Sequence, residues 1–167
     1  MCGRSPAKYL LLFVVLISCA AQALAKDCIG VVAAGATPFW GQVEAGARQA
    51  ATEHGLDMHF RGPSQEGRTE TQLQMVNWIL ERGCKALVIA PGGPEIVSRV
   101  QQLAASGIST VYFDRDLPGS QVRGVVATDN FRAGVQAGEA MATALEGQGQ
   151  VALLRLKAGV PSTSERE

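Results

Sequence analysis

Several things are scarce in this chain, and each shortage narrows what it can do. Aromatic residues make up only 5% of the 167 positions, and there are two histidines. Charge of one sign is missing: 15 basic residues balance 15 acidic ones. Without a basic stripe, a nucleic-acid partner has no support. The four cysteines include no CxxC and no metal-ligand spacing. No GxSxG occurs, Gly30 and Gly35 do not form a GxGxxG, and Pro91-Gly-Gly-Pro94 lacks the Lys and Ser/Thr of a phosphate loop. His54 and His59 fall at the end of one predicted element and on an edge strand, far from any nucleophile. Nothing assembles a nucleophile, base and oxyanion donor, so the expectation is no enzyme, no cofactor and no metal. What is present is a globular composition, 47% hydrophobic.

The first 25 residues read as an export signal. Arg4 and Lys8 form a basic start, Tyr9 to Ser18 an apolar stretch too short to span a bilayer, and Ala23-Leu24-Ala25 a small-residue cleavage site. Cleavage there predicts a periplasmic protein. The alternative is Leu16-Ile17-Ser18-Cys19 as a lipobox, with Cys19 lipidated; only a short tether would then separate it from Cys28. Removing residues 1–25 removes two basic groups and no acid, leaving a net charge of −2. A chain of the remaining size can bury roughly two-thirds of its unfolded surface, enough for one core.

A period of about thirty residues runs through the rest. Predicted strands cover 28–33, 57–61, 85–90, 110–113, 122–127 and 150–156. Predicted helices cover 38–54, 68–82, 94–106 and 130–145. Strands alternating with helices predict an α/β fold, a doubly wound parallel sheet with helices on both faces. The second strand alternates apolar and polar residues and reads as an edge; the third, Ala86 to Ala90, is continuously apolar and reads as central. Cys28 and Cys84 each open a strand. If those strands are parallel neighbours, the two cysteines lie at the same end of the sheet. A disulfide there would contribute about 4 kcal/mol on the chain-entropy model. Parallel neighbours often give poor disulfide geometry, so free thiols remain the alternative.

In doubly wound sheets, ligands bind beyond the carboxyl ends of the strands. That rule selects the loops after strands one, three, four and five. The first carries Thr37, a helix-capping residue before Pro38, and then Phe39 and Trp40. Two adjacent rings in so aromatic-poor a chain offer a flat face for a ligand; for one of them, stapling the helix to the sheet is an equal account. After strand four come Asp114 and Arg115, acceptors beside a five-donor fork, which suit vicinal hydroxyls. The alternative for that pair is a local ion pair capping the loop. After strand five come Thr128, Asp129 and Asn130; Asp129 and Asn130 are expected to cap the following helix. Flat apolar walls with mixed polar groups fit a polyol better than an anion.

In this order and spacing, Thr37-Pro-Phe-Trp40, Arg82-Gly-Cys-Lys-Ala-Leu-Val-Ile-Ala-Pro91, Tyr112-Phe-Asp-Arg115, Ala127-Thr-Asp-Asn130 with Gly134 and Gly138, and Ser162-Thr-Ser-Glu-Arg-Glu167 resemble the periplasmic sugar-binding proteins of the ribose-binding type. The resemblance runs from residue 25 to the last. It implies that Phe39 and Trp40 sandwich a sugar ring, and that Asp114, Arg115, Thr128 and Arg166 bind its hydroxyls. Ribose binders carry Asn where this chain has Thr37 and again where it has Ala90, so a different pentose, a hexose or a polyol is as fitting as ribose.

The resemblance also implies a division and a set of partners. Residues 26–127 would form an N-terminal sugar-binding lobe, and 128–167 the incomplete start of a C-terminal lobe, since the family's proteins are nearly twice as long. The family's mechanism is closure of two lobes over a sugar, which presents a closed face to the permease of an ABC transporter. A chemoreceptor or sensor histidine kinase is the alternative partner. A sugar-responsive repressor shares the fold but would carry a helix-turn-helix where this chain has the export signal. With half the clamp missing, residues 26–167 are expected to show no micromolar sugar binding.

Overall fold

The computed structural model describes residues 26–155 and 160–167. The expected export signal, with Cys19 inside it, lies outside the described residues. The elements, in chain order, are β1 (Cys28–Val32), α1 (Pro38–Glu53), β2 (Asp57–Arg61), α2 (Thr69–Glu81), β3 (Ala86–Ile89), α3 (Glu95–Ala105), β4 (Ser109–Phe113), β5 (Val125–Val126), α4 (Asn130–Ala144) and α5 (Pro161–Ser164).

All five strands are parallel, in the order β2-β1-β3-β4-β5. The half-wet β2 is an edge, as its alternation predicts. The order reverses between β1 and β3, which opens a crevice beyond their carboxyl ends. Two helices cover one face. There Val76 and Ile79 of α2 and Ile96, Val100 and Leu103 of α3 bury against Val32, Leu87, Ile89 and Tyr112. The other face carries α1, whose Trp40 packs with Val31, Ala33, Phe60 and Ala90. Because β3 alternates between these two cores, its run had to be apolar throughout.

Two glycines are required by close approach. A Cβ on Gly30 would collide with Ile79, so α2 can sit on β1 only where the strand has no side chain. A Cβ on Gly62 would meet the carbonyl of Gly35, so the loops after β2 and β1 can close on each other only there.

Three expectations are corrected. Thr37 occupies the N-cap of α1 in extended geometry, but its side chain makes no capping bond; the helix begins with Pro38 and with the Gly41 N–H donating to the Thr37 carbonyl at 3.2 Å. The fifth strand is two residues, not six. It is the outermost strand, and its second residue, Val126, is 70% exposed, with no strand paired to its outer side among the described residues. Residues 150–155 form no strand, since no neighbouring strand pairs with them among the described residues, and Leu154 stands 97% exposed. Leu156, the last residue of that expected strand, lies outside the described residues. A one-turn helix, α5, occupies the Ser-rich segment, started by Pro161 at its first turn.

Candidate functional site

The carboxyl ends of β1 and β3 are fastened by one side chain. Gln72, on α2 and 1% exposed, donates from Nε2 to the carbonyls of Ala33 and Ala90, both at 2.8 Å. Its Oε1 accepts from the Gly92 N–H at 2.8 Å. One amide thus joins the ends of two strands and the loop that follows the second, right at the switch point. A buried amide with all these groups bonded rigidifies its surroundings.

Beyond that clamp the rim carries a charged cluster. Arg115 is buried; its Nε donates to Asp114 Oδ2 at 2.9 Å, and its Nη2 stands 2.9 Å from the same oxygen as an ion pair. Nη2 also stands 3.5 Å from Glu66 Oε2. Glu66, in the loop after β2, accepts through Oε1 from the Trp40 indole Nε1 at 3.0 Å. Trp40, Glu66, Arg115 and Asp114 therefore form one continuous chain along the same edge. Two carboxylates surround one guanidinium, so free acceptor lone pairs remain beside guanidinium donors. That combination recognises neighbouring hydroxyl groups, each of which donates and accepts. Asp114 has φ of +66°, a left-handed conformation rare for a residue with a side chain. Such strain concentrates where side chains must be aimed.

The two rings divide the labour. Trp40 is 2% exposed and packs edge-on against Phe113 at 5.9 Å, so it anchors α1 to the sheet. Phe39 is 55% exposed and stands edge-on to Trp40 at 4.9 Å. Thr37 is exposed and lines a hollow of about 330 Å³ with Trp40, Glu44, Arg61 and Gly62; Phe39, Asp114 and Arg115 do not line it. The apolar cavity of about 400 Å³ between α1 and the sheet, lined by Val31, Ala47, Ala50 and Val88 among others, has His54 as its one polar side chain, too few polar groups for a sugar.

Thr128 and Arg166 gather elsewhere, around the start of α4. Asp129 caps that helix, its Oδ1 accepting from the Arg132 N–H at 2.9 Å. The buried Asn130 donates from Nδ2 to the Thr128 carbonyl at 3.0 Å and accepts from Arg166 Nε at 2.7 Å. Gly134 lets the Arg166 backbone press against α4. The two clusters are linked through the sheet, where the Asp114 N–H donates to the Val126 carbonyl at 2.9 Å.

Sequence reasoning missed Glu66 and Gln72. Both belong to residue types usually found in water, and only the approach of the loop after β2 to the loop after β1 brings Glu66 to the rim. Cys28 and Cys84, at the opposite end of the sheet, are joined as a disulfide with Cα atoms 4.3 Å apart.

Comparison with known proteins places these features. The family profile described as a periplasmic binding protein domain matches residues 29–167. A crystal structure described as the periplasmic component of an ABC-type sugar transport system from Hahella chejuensis is 34% identical, with a TM-score of 0.76 over 83% of this chain and 52% of that one. An ABC transporter solute-binding protein from Burkholderia graminis, in complex with D-arabinose, is 29% identical, with a TM-score of 0.79 over 85% of this chain and 50% of that one. The XylFII–LytSN complex contains a chain 26% identical, with a TM-score of 0.77 over 84% of this chain and 52% of that one. The chain spans about half the length of these structures. No curated protein matches it.

Proposed function

The chain belongs to the periplasmic binding protein domain family, and from that premise we propose that it captures a monosaccharide or polyol for an ABC-type importer. The observation that carries this reading is the buried Arg115, held between Asp114 and Glu66 at the switch-point rim. Phe39 supplies the apolar face for the C–H side of a sugar ring. Trp40 supports it from behind and steadies Glu66. Thr37 brings a hydroxyl that makes no bond within its own helix cap. Thr128 and Arg166 add the second lobe's contacts, with residues 26–127 as the first lobe and 128–167 as the start of the second. Binding closes the two lobes, and the closed form is what the permease recognises. The relatives are sugar-binding transport proteins rather than enzymes, and no catalytic step is proposed here. The family's location is the periplasm; residues 1–25 act as the export signal, cleaved after Ala25 or lipidated at Cys19.

A second reading is a sugar sensor that hands its closed form to a chemoreceptor or sensor kinase. The likeness to the chain in the XylFII–LytSN complex supports it.

Ligand-observed NMR tests the binding reading. Pentoses, hexoses and polyols are screened against the chain, with amino acids and nucleotides as controls. At least one sugar or polyol should bind in a saturable way, and Asp114→Ala should abolish the signal. Binding of an amino acid or nucleotide, with no sugar bound, would contradict the proposal.

A further inference from the structure

Three side chains meet at the amino-terminal end of the sheet, away from the rim. Cys28 opens β1, His59 lies on β2, and Cys84 precedes β3. Their donor atoms all lie within 4.8 Å of one another. In tetrahedral zinc sites the metal–sulfur and metal–nitrogen bonds of about 2.3 and 2.0 Å put neighbouring ligand atoms roughly 3.5 Å apart. One ion is therefore within reach of all three after a small adjustment. Cys84 is buried, and Cys28 and His59 are half-buried. Among the described residues, neither ring nitrogen of His59 makes a hydrogen bond. Its ring is held edge-on to Trp78 at 5.3 Å, and Trp78 lies between the guanidinium groups of Arg61, at 4.0 Å, and Arg82, at 3.3 Å. The ligands come from β1, from β2 and from the turn that leads into β3, which is why no spacing in the sequence reveals them.

We propose that, when the Cys28–Cys84 bridge is open, the two thiolates and the His59 imidazole bind one thiophilic d10 cation such as Zn²⁺. Two sulfurs and one imidazole suit such ions and disfavour Mg²⁺ or Ca²⁺. Three protein ligands leave the fourth position of zinc to water. The site and the disulfide are alternatives. A small dithiol reductant opens the bridge by taking over the S–S bond, becoming a cyclic disulfide while Cys28 and Cys84 each gain one electron and one proton. Binding of Zn²⁺ then releases both thiol protons. Re-forming the bridge by exchange with a donor disulfide expels the ion and leaves the donor as two thiolates, which take two protons from water to become thiols.

The test uses the full chain carrying Cys2→Ser and Cys19→Ser, so that the pair supplies the only thiols. Zn²⁺ is titrated against a chromogenic chelator, with the protein either reduced or oxidised, and folding is followed by far-UV circular dichroism. The reduced protein should bind one equivalent and the oxidised protein none. His59→Gln should weaken binding by roughly tenfold or more. Bound Zn²⁺ should also slow re-formation of the bridge by oxidised glutathione. The proposal is overturned if the reduced protein binds no Zn²⁺, if His59→Gln binds as tightly, or if the urea-unfolded chain binds as tightly as the folded one. Should His59→Gln fail to fold, Cys28→Ser in the same titration must lose the ion, and retention there overturns it equally.

Discussion

Glu66 is the residue on which the rim's geometry turns, because it bonds to Trp40 and pairs with Arg115. Glu66→Ala removes the acceptor of a buried indole N–H. Leaving such a donor unpaired costs about 1–3 kcal/mol. The partial exposure of Glu66 puts the expected loss toward the lower end, read as a lower urea midpoint with a shifted tryptophan emission. An unchanged emission would mean that the bond contributes nothing to Trp40's surroundings. Tyr112 is a second residue with a measurable signature. Burial pushes its phenol above the ordinary value of 10.0, while the bond to Ser120 works the other way. The unfolded chain therefore ionises Tyr112 first. Stability is unaffected by this group below about pH 10 and falls as pH rises beyond it. In a Tyr9→Phe protein, tyrosinate absorbance should appear later in the folded state than in urea. These two residues also mark where sequence reading stops. Asp114 and Arg115 were legible because they follow a strand at the ligand-binding end. Stapling of the helix by one of the two rings was an open alternative; that the ring is Trp40 was not legible, because its burial depends on Phe113 and Phe60 arriving from other strands.

At the scale of elements, hydrophobic period did most of the work. The continuous run of β3 and the alternation of β2 told centre from edge, and β1 to β4 stand within a residue or two of their expected bounds. Expectation failed where an element needs a neighbour. The run 122–127 is β-prone, yet only Val125 and Val126 form a strand, at the sheet's outer edge. The run 150–155 is equally apolar and unpaired. Gln72 shows the converse, a polar residue on the buried stripe of α2 that its polarity, not its period, would assign to solvent. Its amide joins β1 to β3, so Gln72→Ala should loosen the junction rather than one helix. Three backbone groups lose their partner. The expected cost is about 2–4 kcal/mol by urea denaturation, with faster amide exchange at Gly92, whose N–H is freed. A loss below about 0.5 kcal/mol would show that water replaces the amide without penalty.

At the scale of the whole molecule, the two ends of the sheet carry different chemistry. The carboxyl ends gather the rings and the acid–guanidinium chain, and the amino ends hold Cys28, Cys84 and His59. Beyond the first sheet, α4 and the segment after it leave Phe131, Val135, Met141, Val151 and Leu153 exposed. The expected first lobe thus has an apolar core on both sheet faces, while the start of the second leaves apolar surface exposed among the described residues. A sugar held by one lobe should bind with Kd of about 1 mM or weaker, roughly −4 kcal/mol. The most direct test is a titration of the ¹⁵N-labelled chain with D-arabinose, D-glucose and D-galactose, followed by amide shifts. The account predicts weak, saturable shifts for at least one sugar at Phe39, Trp40, Asp114 and Arg115, and none around Cys28 and Cys84. Shifts confined to the opposite end of the sheet, or no saturable shift with any of the three, would contradict it.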